Sequence, residues 1–454
     1  MPTKVAKFGG TSLASAPQIR KMKAIVQDDP DRRFVVPSAP GKREASDIKI
    51  TDLLYICHDL ASKGLKFDDA WGPVTQRFKQ IVTELGLSLD LGPILDEAEA
   101  TIADHGKRGL RADYAASRGE AINGRIIADL LQCEYVDPTE VIFFGDDGRL
   151  NYEKTYSMLE KRLGSSERAV VPGFFGLGPD AHVKTLGRGR GGSDITGAIV
   201  ARGVNAEIYE NWTDVHGLLI TDPRIVPDAY TIETVTYREL RELSYSGASV
   251  IHEEAVFPVR EAGIPVNILN TNDPEHPGTL IVRNTHPSAK QSYQITGIAG
   301  RKDFTIIQIE KAMMNSEVGF GKRVLGVLAD FDVSFEHIPS GIDTLSVVIE
   351  DNAVKGKLGD IVAAIKTAVK PDNVDVDKNL ALIATVGRGM AKQTGTSATL
   401  FSALGEAGVN IRMIDQGSSE MNIIVGTDVQ DFEKAVRAIY AAFVSEDSLP
   451  RALK

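Results

Sequence analysis

The last third of the chain carries one unit written twice. Gly319, Val333, Phe335, Ile338 and Gly341 recur as Gly395, Val409, Ile411, Ile414 and Gly417, each 76 residues further on. Each copy holds a helical stretch (Val324, Leu325 and Leu328; then Leu400, Phe401 and Leu404) followed by a β-rich half, 347–349 and then 423–425. The second copy adds an amphipathic helix over 431–443. A fixed offset of this length means a duplicated supersecondary unit, so two small α+β modules are expected there.

Upstream the pattern is different. Short apolar runs at 5–8, 34–36, 141–144, 169–171, 206–212 and 265–269 read as strands. Helical periodicity starts near Pro17 and covers 51–60, 90–103, 113–131, 195–201, 237–245 and 251–262. Strands alternating with helices imply crossover units and a largely parallel sheet covered on both faces. From Asn270 to Gln291 the texture turns to Asn, Asp, Pro, His and Thr, which marks a boundary. A chain of 454 residues is too long for one core, so several domains are expected.

The formal charge of −11 argues against general binding to nucleic acid or a membrane surface. Cys57 and Cys133 stand far apart, without metal spacing or a disulfide framework. No apolar run approaches the ~20 residues of a membrane span. The apolar run at the N-terminus is too short for a signal peptide, so a reducing cytoplasm is the expected setting.

Two glycine-rich turns carry the chemistry. One is Gly187-Arg188-Gly189-Arg190-Gly191-Gly192-Ser193-Asp194, which opens a helix. Backbone N–H groups and the helix dipole there suit an anion, and guanidinium groups bind carboxylate or phosphate bidentately. The other is Lys7-Phe8-Gly9-Gly10-Thr11-Ser12, a strand–glycine–helix element holding a cation. It lacks the Gly-Lys-Ser/Thr ending of a Walker loop. Two such turns suit transfer between two anionic groups, with Lys7 neutralising charge on a moving phosphoryl group. Gly187, Gly189 and Gly192, with Glu210 beyond, formally match a dinucleotide fingerprint, but the segment 183–186 feeding them is short and partly polar. Ser117-Arg118-Gly119-Glu120 opens a further helix, where Glu120 either favours the dipole or binds an ammonium. Neither a His-Glu-x-x-His zinc motif nor a Gly-x-Ser-x-Gly elbow is present.

Together Lys7–Ser12, the Arg190-Gly191-Gly192-Ser193-Asp194 core, Trp212-Thr213-Asp214-Val215, Thr221-Asp222-Pro223-Arg224 and the C-terminal repeat resemble aspartate kinase over essentially the whole chain. The resemblance implies an α/β, three-layer amino-acid-kinase fold with a largely parallel central sheet over 1–293, then two α+β ACT (ferredoxin-like) domains over 294–376 and 377–454. The implied reaction is phosphoryl transfer from ATP, with Mg2+, to the β-carboxylate of L-aspartate, giving 4-phospho-L-aspartate. Lys7 and Asp194 would be catalytic. Ser38, Thr51, Glu120, Arg190 and Ser193 would line the aspartate pocket, Glu120 taking the ammonium and Arg190 a carboxylate. The turn is two residues longer than the family's usual one, so Arg188 is the alternative to Arg190. Gly9 and Gly10 (through their backbone N–H groups), Thr213, Asp214 and Arg224 would serve ATP.

The ACT pair implies homo-oligomerisation and feedback inhibition by lysine, threonine or both. Met314, Gly319, Phe320, Ser334 and Glu336 would form the effector pocket. A non-catalytic amino-acid sensor and a related carboxylate kinase are the competing readings. Intact Lys7, Glu120, Arg190 and Asp194 speak against the first, and the paired ACT repeat against the second.

Overall fold

Parallel strands buried on both faces make continuous apolar runs, and the centre of this sheet obeys that rule. Val5, Ala6, Phe8, Val35, Val36 and Trp212 are all almost fully buried. The computed structural model describes residues 2–187, 191–248, 253–289 and 294–444. It divides into two compact units, Met1–Leu218 with Thr231–Tyr237 and Val250–Ala289, and Leu219–Tyr230 with Arg238–Ser249 and Lys290–Lys454.

The strands of the first unit are β1 (Lys4–Phe8), β2 (Arg32–Pro37), β3 (Glu134–Tyr135), β4 (Ala169–Val170), β5 (Phe175–Leu177), β6 (Val183–Thr185), β7 (Ile208–Thr213), β8 (Thr234–Thr236), β9 (Val266–Asn270) and β10 (Thr279–Val282). β5 and β6 form a separate antiparallel pair, and the other eight build one sheet in the order β3-β4-β2-β1-β7-β9-β10-β8. The run from β3 to β9 is parallel throughout, and β10 turns antiparallel to β9. Its helices are α1 (Ala16–Asp28), α2 (Ile50–Ser62), α3 (Asp68–Leu85), α4 (Gly92–Lys107), α5 (Asp113–Leu131), α6 (Pro138–Val141), α7 (Tyr152–Leu163) and α8 (Gly192–Gly203). Two more are α9 (Tyr237–Tyr245), which belongs to the second unit from Arg238 on, and α10 (Glu253–Ala262).

The strand expected over 141–144 is a correction. Asp137 caps the N–H of Thr139 and Pro138 stands at the first helical position, so a helical turn forms and ends at Val141. Phe143 and Phe144 beyond it join their neighbours only through isolated bridges.

The second unit contains β11 (Gly297–Glu310), α11 (Phe320–Asp330), β12 (Thr344–Glu350), α12 (Asp351–Val354), α13 (Leu358–Val369), β13 (Asn373–Val386), α14 (Thr396–Glu406), β14 (Ile411–Asp415), β15 (Asn422–Asp428) and α15 (Phe432–Phe443). Its antiparallel sheet runs β12-β11-β13-β15-β14. The repeated glycines have a backbone cause: Gly319 and Gly395 precede α11 and α14 with φ of 81° and 91°, a left-handed conformation that glycine adopts without strain. α15 is not peculiar to the second copy, because α13 is its counterpart, burying Ile361, Ile365 and Val369 at helical spacing.

The two copies are not laid end to end. Gly297–Arg301 of β11 pairs with Leu382–Val386, and Phe304–Glu310 pairs with Asn373–Leu380, the register shifting between the two stretches. Ile298 accordingly packs with Ala381, Ile383, Leu400 and Ile423 in the core of the second copy. Ile307 and Ile309 pack with Phe320, Val324 and Val347 in the core of the first. The second copy therefore takes one strand from in front of the first. Among the described residues no helix is long and apolar enough to cross a membrane.

Candidate active site

In the first unit the chain leaves β1 for β2 on one side and later returns to β7 on the other, so the carboxyl ends of β1 and β7 flank a topological switch point. Open parallel sheets bind ligands in that crevice. Lys7 lies one residue from the end of β1 and is in register with Asn211 of β7. Its side chain is buried, with Nζ 2.5 Å from Asp194 Oδ1 and donating to Asn211 Oδ1 at 3.3 Å. Asn211 Nδ2 donates to the same Asp194 oxygen at 3.1 Å. Asp194 sits in the first turn of α8, which Gly191 enters with φ of 69°.

The glycine turn after β1 is held tightly. A Cβ on Gly41 would lie 2.5 Å from the Gly10 carbonyl carbon, and Gly41 N–H donates to Gly10 O at 2.8 Å. Gly9 does not offer its amide to a phosphate as expected, because that N–H donates to Trp212 O at 2.9 Å and stitches β1 to β7. The Gly10 N–H has no acceptor among the described residues. A Cβ at Gly9 would fall 3.7 Å from Lys7 Nζ, an ordinary contact distance.

Ser38 follows β2 and donates its N–H to Phe8 O. Next to it, Ala39 donates its N–H to Glu120, and Gly119 lets α5 approach, since a Cβ there would meet Ala39 Cβ at 2.8 Å. Glu120 is only 6 % exposed and its Oε2 has no hydrogen-bond partner among the described residues. Burial pushes its carboxyl up to about 8, against the Ala39 N–H and Arg118, which pull it down. One turn along, Asn123 donates to Ser38 O at 2.7 Å while its buried Oδ1 likewise has no partner among the described residues. Gly173 N–H donates to Pro37 O, and a Cβ on Gly173 would meet Ser193 Oγ at 2.6 Å. Thus Ser38, Glu120, Ser193, Asp194 and Lys7 gather about the carboxyl edge of one sheet. The group joins a buried cation, a buried acceptor in need of a donor, and a helix N-terminus.

The amino acid kinase family model matches residues 2–270, and an ACT domain model matches 383–443. Aspartokinase 3 of Bacillus subtilis is 38 % identical over 451 residues, covering 97 % of this chain and 98 % of its own length. The family is thereby decided. This chain belongs to the aspartokinases. The crystal structure of Clostridium acetobutylicum aspartate kinase is 50 % identical with a TM-score of 0.88, over 98 % of this chain and all of that one. Aspartokinase III of E. coli, solved with aspartate and ADP, superposes with a TM-score of 0.72 at 25 % identity over 97 % of this chain and 99 % of its own. The same enzyme solved with lysine and aspartate gives 0.71 at 25 % identity over 98 % and 100 %.

The remaining expectations fall unevenly on this aspartokinase. Arg190 and its alternative Arg188 lie outside the described residues. Thr51 stands in the first turn of α2, half-buried and without a side-chain hydrogen bond among those described. Thr213 ends β7 and donates its hydroxyl to the exposed Asp214 at 3.2 Å. Arg224 belongs to the other compact unit, its guanidinium held by Asp222 at 2.6 Å.

The five expected effector residues take different places in the second unit. Met314 and Phe320 are needed to fill the core of the first repeat, Gly319 caps α11, and Ser334 faces solvent. Glu336 pairs with Arg301 at 3.1 Å in a cavity of about 120 Å3 that Tyr245, His337 and Asn422 also line.

Asn211 and Asn123 escape a reading of the sequence. For Asn211 a sign is present: a polar amide inside a buried strand costs free energy unless it is hydrogen-bonded.

Proposed function

We propose that this aspartokinase transfers the γ-phosphoryl group of ATP to the β-carboxylate of L-aspartate at the carboxyl edge of the first unit's sheet. The observation that carries the reading is the buried Glu120 Oε2, which has no partner among the described residues and is an acceptor matched to the α-ammonium of an amino acid. Aspartate docks with that ammonium on Glu120, beside Ser38 and Ser193. A β-carboxylate oxygen attacks the γ-phosphorus, the bond to the ADP oxygen breaks, and an acyl phosphate forms. The nucleophile is already an anion, so no general base is required. Positioning and charge neutralisation remain, and Lys7 supplies the latter.

Among the described residues no cluster of three His, Cys, Asp or Glu side chains is arranged for an ion. Magnesium would arrive on the nucleotide, since this ion keeps several waters and binds mainly through substrate phosphates and one or two carboxylates. It would neutralise charge shared between the β- and γ-phosphates. Thr213 and Asp214 serve the nucleotide side, and Arg190 the aspartate carboxylate.

The ACT repeats bind lysine or threonine as feedback inhibitor and join copies of the chain, in a cytoplasmic setting. Their support is the ACT match and the lysine complex of the E. coli relative.

The test is to trap acyl phosphate as hydroxamate from purified protein with MgATP and a panel of amino acids, then to titrate in lysine or threonine. Hydroxamate with aspartate, suppressed by one of the two effectors, is the expected result. Product with glutamate and none with aspartate would overturn the substrate assignment, and indifference to both effectors would overturn the regulatory one.

A further inference from the structure

We propose that Asn211 is a positioning residue for phosphoryl transfer, holding the Lys7 ammonium and the Asp194 carboxylate in a single orientation; the proposal rests on the role given to Lys7 above. Residues paired in parallel register present their side chains on the same face, and Lys7 is paired with Asn211. The ammonium therefore emerges beside the amide. Lys7 Nζ reaches Asn211 Oδ1 at 3.3 Å, Asn211 Nδ2 reaches Asp194 Oδ1 at 3.1 Å, and Nζ lies 2.5 Å from that oxygen. The three groups close a triangle.

An ammonium on a flexible four-carbon stem can swing about one carboxylate, because a single ion pair fixes distance better than direction. A second acceptor on a rigid strand removes that freedom. It also takes up a second of the three N–H donors, leaving one for a phosphoryl oxygen.

An amide suits this corner because it accepts from the cation and donates to the anion at once. Aspartate could only accept and leucine could do neither. Asparagine is disfavoured in strands, and Asn211 is only 6 % exposed, so its hydrogen bonds must offset a poor fit to its place. A purely structural duty would be met by any apolar residue of similar volume.

Asn211→Leu separates the two duties. Displacing a catalytic group by about 1 Å can cost on the order of 10²-fold, so kcat is expected to fall ~10–100-fold while KM for ATP and for aspartate changes little. In a Lys7→Ala background the same substitution should add no further loss, because both act through one ammonium. Asn211→Thr, which suits a strand and keeps a single hydroxyl, should lose less than Asn211→Leu and serves in the same cycle if the leucine variant fails to fold. Wild-type kcat in Asn211→Leu overturns the proposal, and so does an equal loss with and without Lys7. Near wild-type turnover in Lys7→Ala alone sinks the role of Lys7 itself, a different failure.

Discussion

Each compact unit buries a charged network, and the two networks are finished differently. In the second unit Glu239 is fully buried, and its carboxylate accepts from the Thr296 hydroxyl at 2.6 Å, from the Arg388 backbone N–H at 3.0 Å and from the Arg388 guanidinium. In the first unit Lys7 has a donor to spare, and Glu120 Oε2 and Asn123 Oδ1 find no donor among the described residues. Buried polar groups in folded proteins nearly always find partners. A network whose needs are met holds the chain together, whereas one with unmet needs is where a ligand is expected under the proposed function. Burial alone would rank Glu239 above Lys7; hydrogen-bond bookkeeping reverses the order.

The largest expected effect lies on the closed network. Arg388→Ala would take a guanidinium away from the fully buried Glu239 carboxylate, and breaking a buried pair by removing one partner typically costs ~3–5 kcal/mol. Urea denaturation should show a clearly lower midpoint, and the protein that stays folded should keep its kcat. A lost kcat with an unmoved midpoint would place Glu239 and Arg388 among the working groups and dissolve the contrast.

Lys7→Ala should behave the opposite way. Asp194 keeps the Asn211 donor and is one-fifth exposed, so water can replace the ammonium and the denaturation midpoint should move little. The loss should appear in kcat, by ~10²–10³, as for removal of one preorganised electrostatic contact. A large drop in stability with turnover preserved would make Lys7 a strut.

The sequence is legible where a local cause decides. α5 can be read to the residue, because Asp113 opens it and its apolar positions repeat at helical spacing. Lys7, Glu120 and Asp194 are singled out by the resemblance of their surroundings to aspartate kinase, since the residues alone leave a solvated lysine or a helix-dipole carboxylate open. Legibility fails where the partner is remote. Nothing in 297–310 says that its two halves pair with different repeats, and only the left-handed Asp303, with φ of 73°, marks the joint. Apolar spacing in 219–230 and 238–248 announces burial without saying against what, yet both segments pack with the C-terminal unit. Asn211 hides inside an apolar strand, since its partners lie 204 and 17 residues away. α13 is a different case: its apolar spacing is plain, and only the absence of a matching signal in the repeat offset conceals it.

Glu120→Gln probes the unmet acceptor itself, with a smaller effect that carries a pH signature. Hydrogen bonds to charged groups contribute ~1.5–3 kcal/mol, so KM for aspartate should rise on the order of 10–100-fold, with kcat less affected. Burial raises the Glu120 carboxyl from its ordinary 4.5 to about 8 in the ligand-free fold. Between those values the folded chain holds a proton at Glu120 that the unfolded chain has released, so raising the pH favours unfolding, by at most about 1.4 kcal/mol per pH unit. Below this window both states hold the proton, and above it neither does. An arriving ammonium needs the carboxylate, so kcat/KM for aspartate should climb with pH toward 8 in the wild type and stay flat in Glu120→Gln. The same substitution removes the burial cost of the charge, so at pH 8 the variant should melt no lower than the wild type. A variant that melts lower at pH 8 and keeps its KM would show that Glu120 belongs with Glu239, as a group the fold needs and the substrate does not.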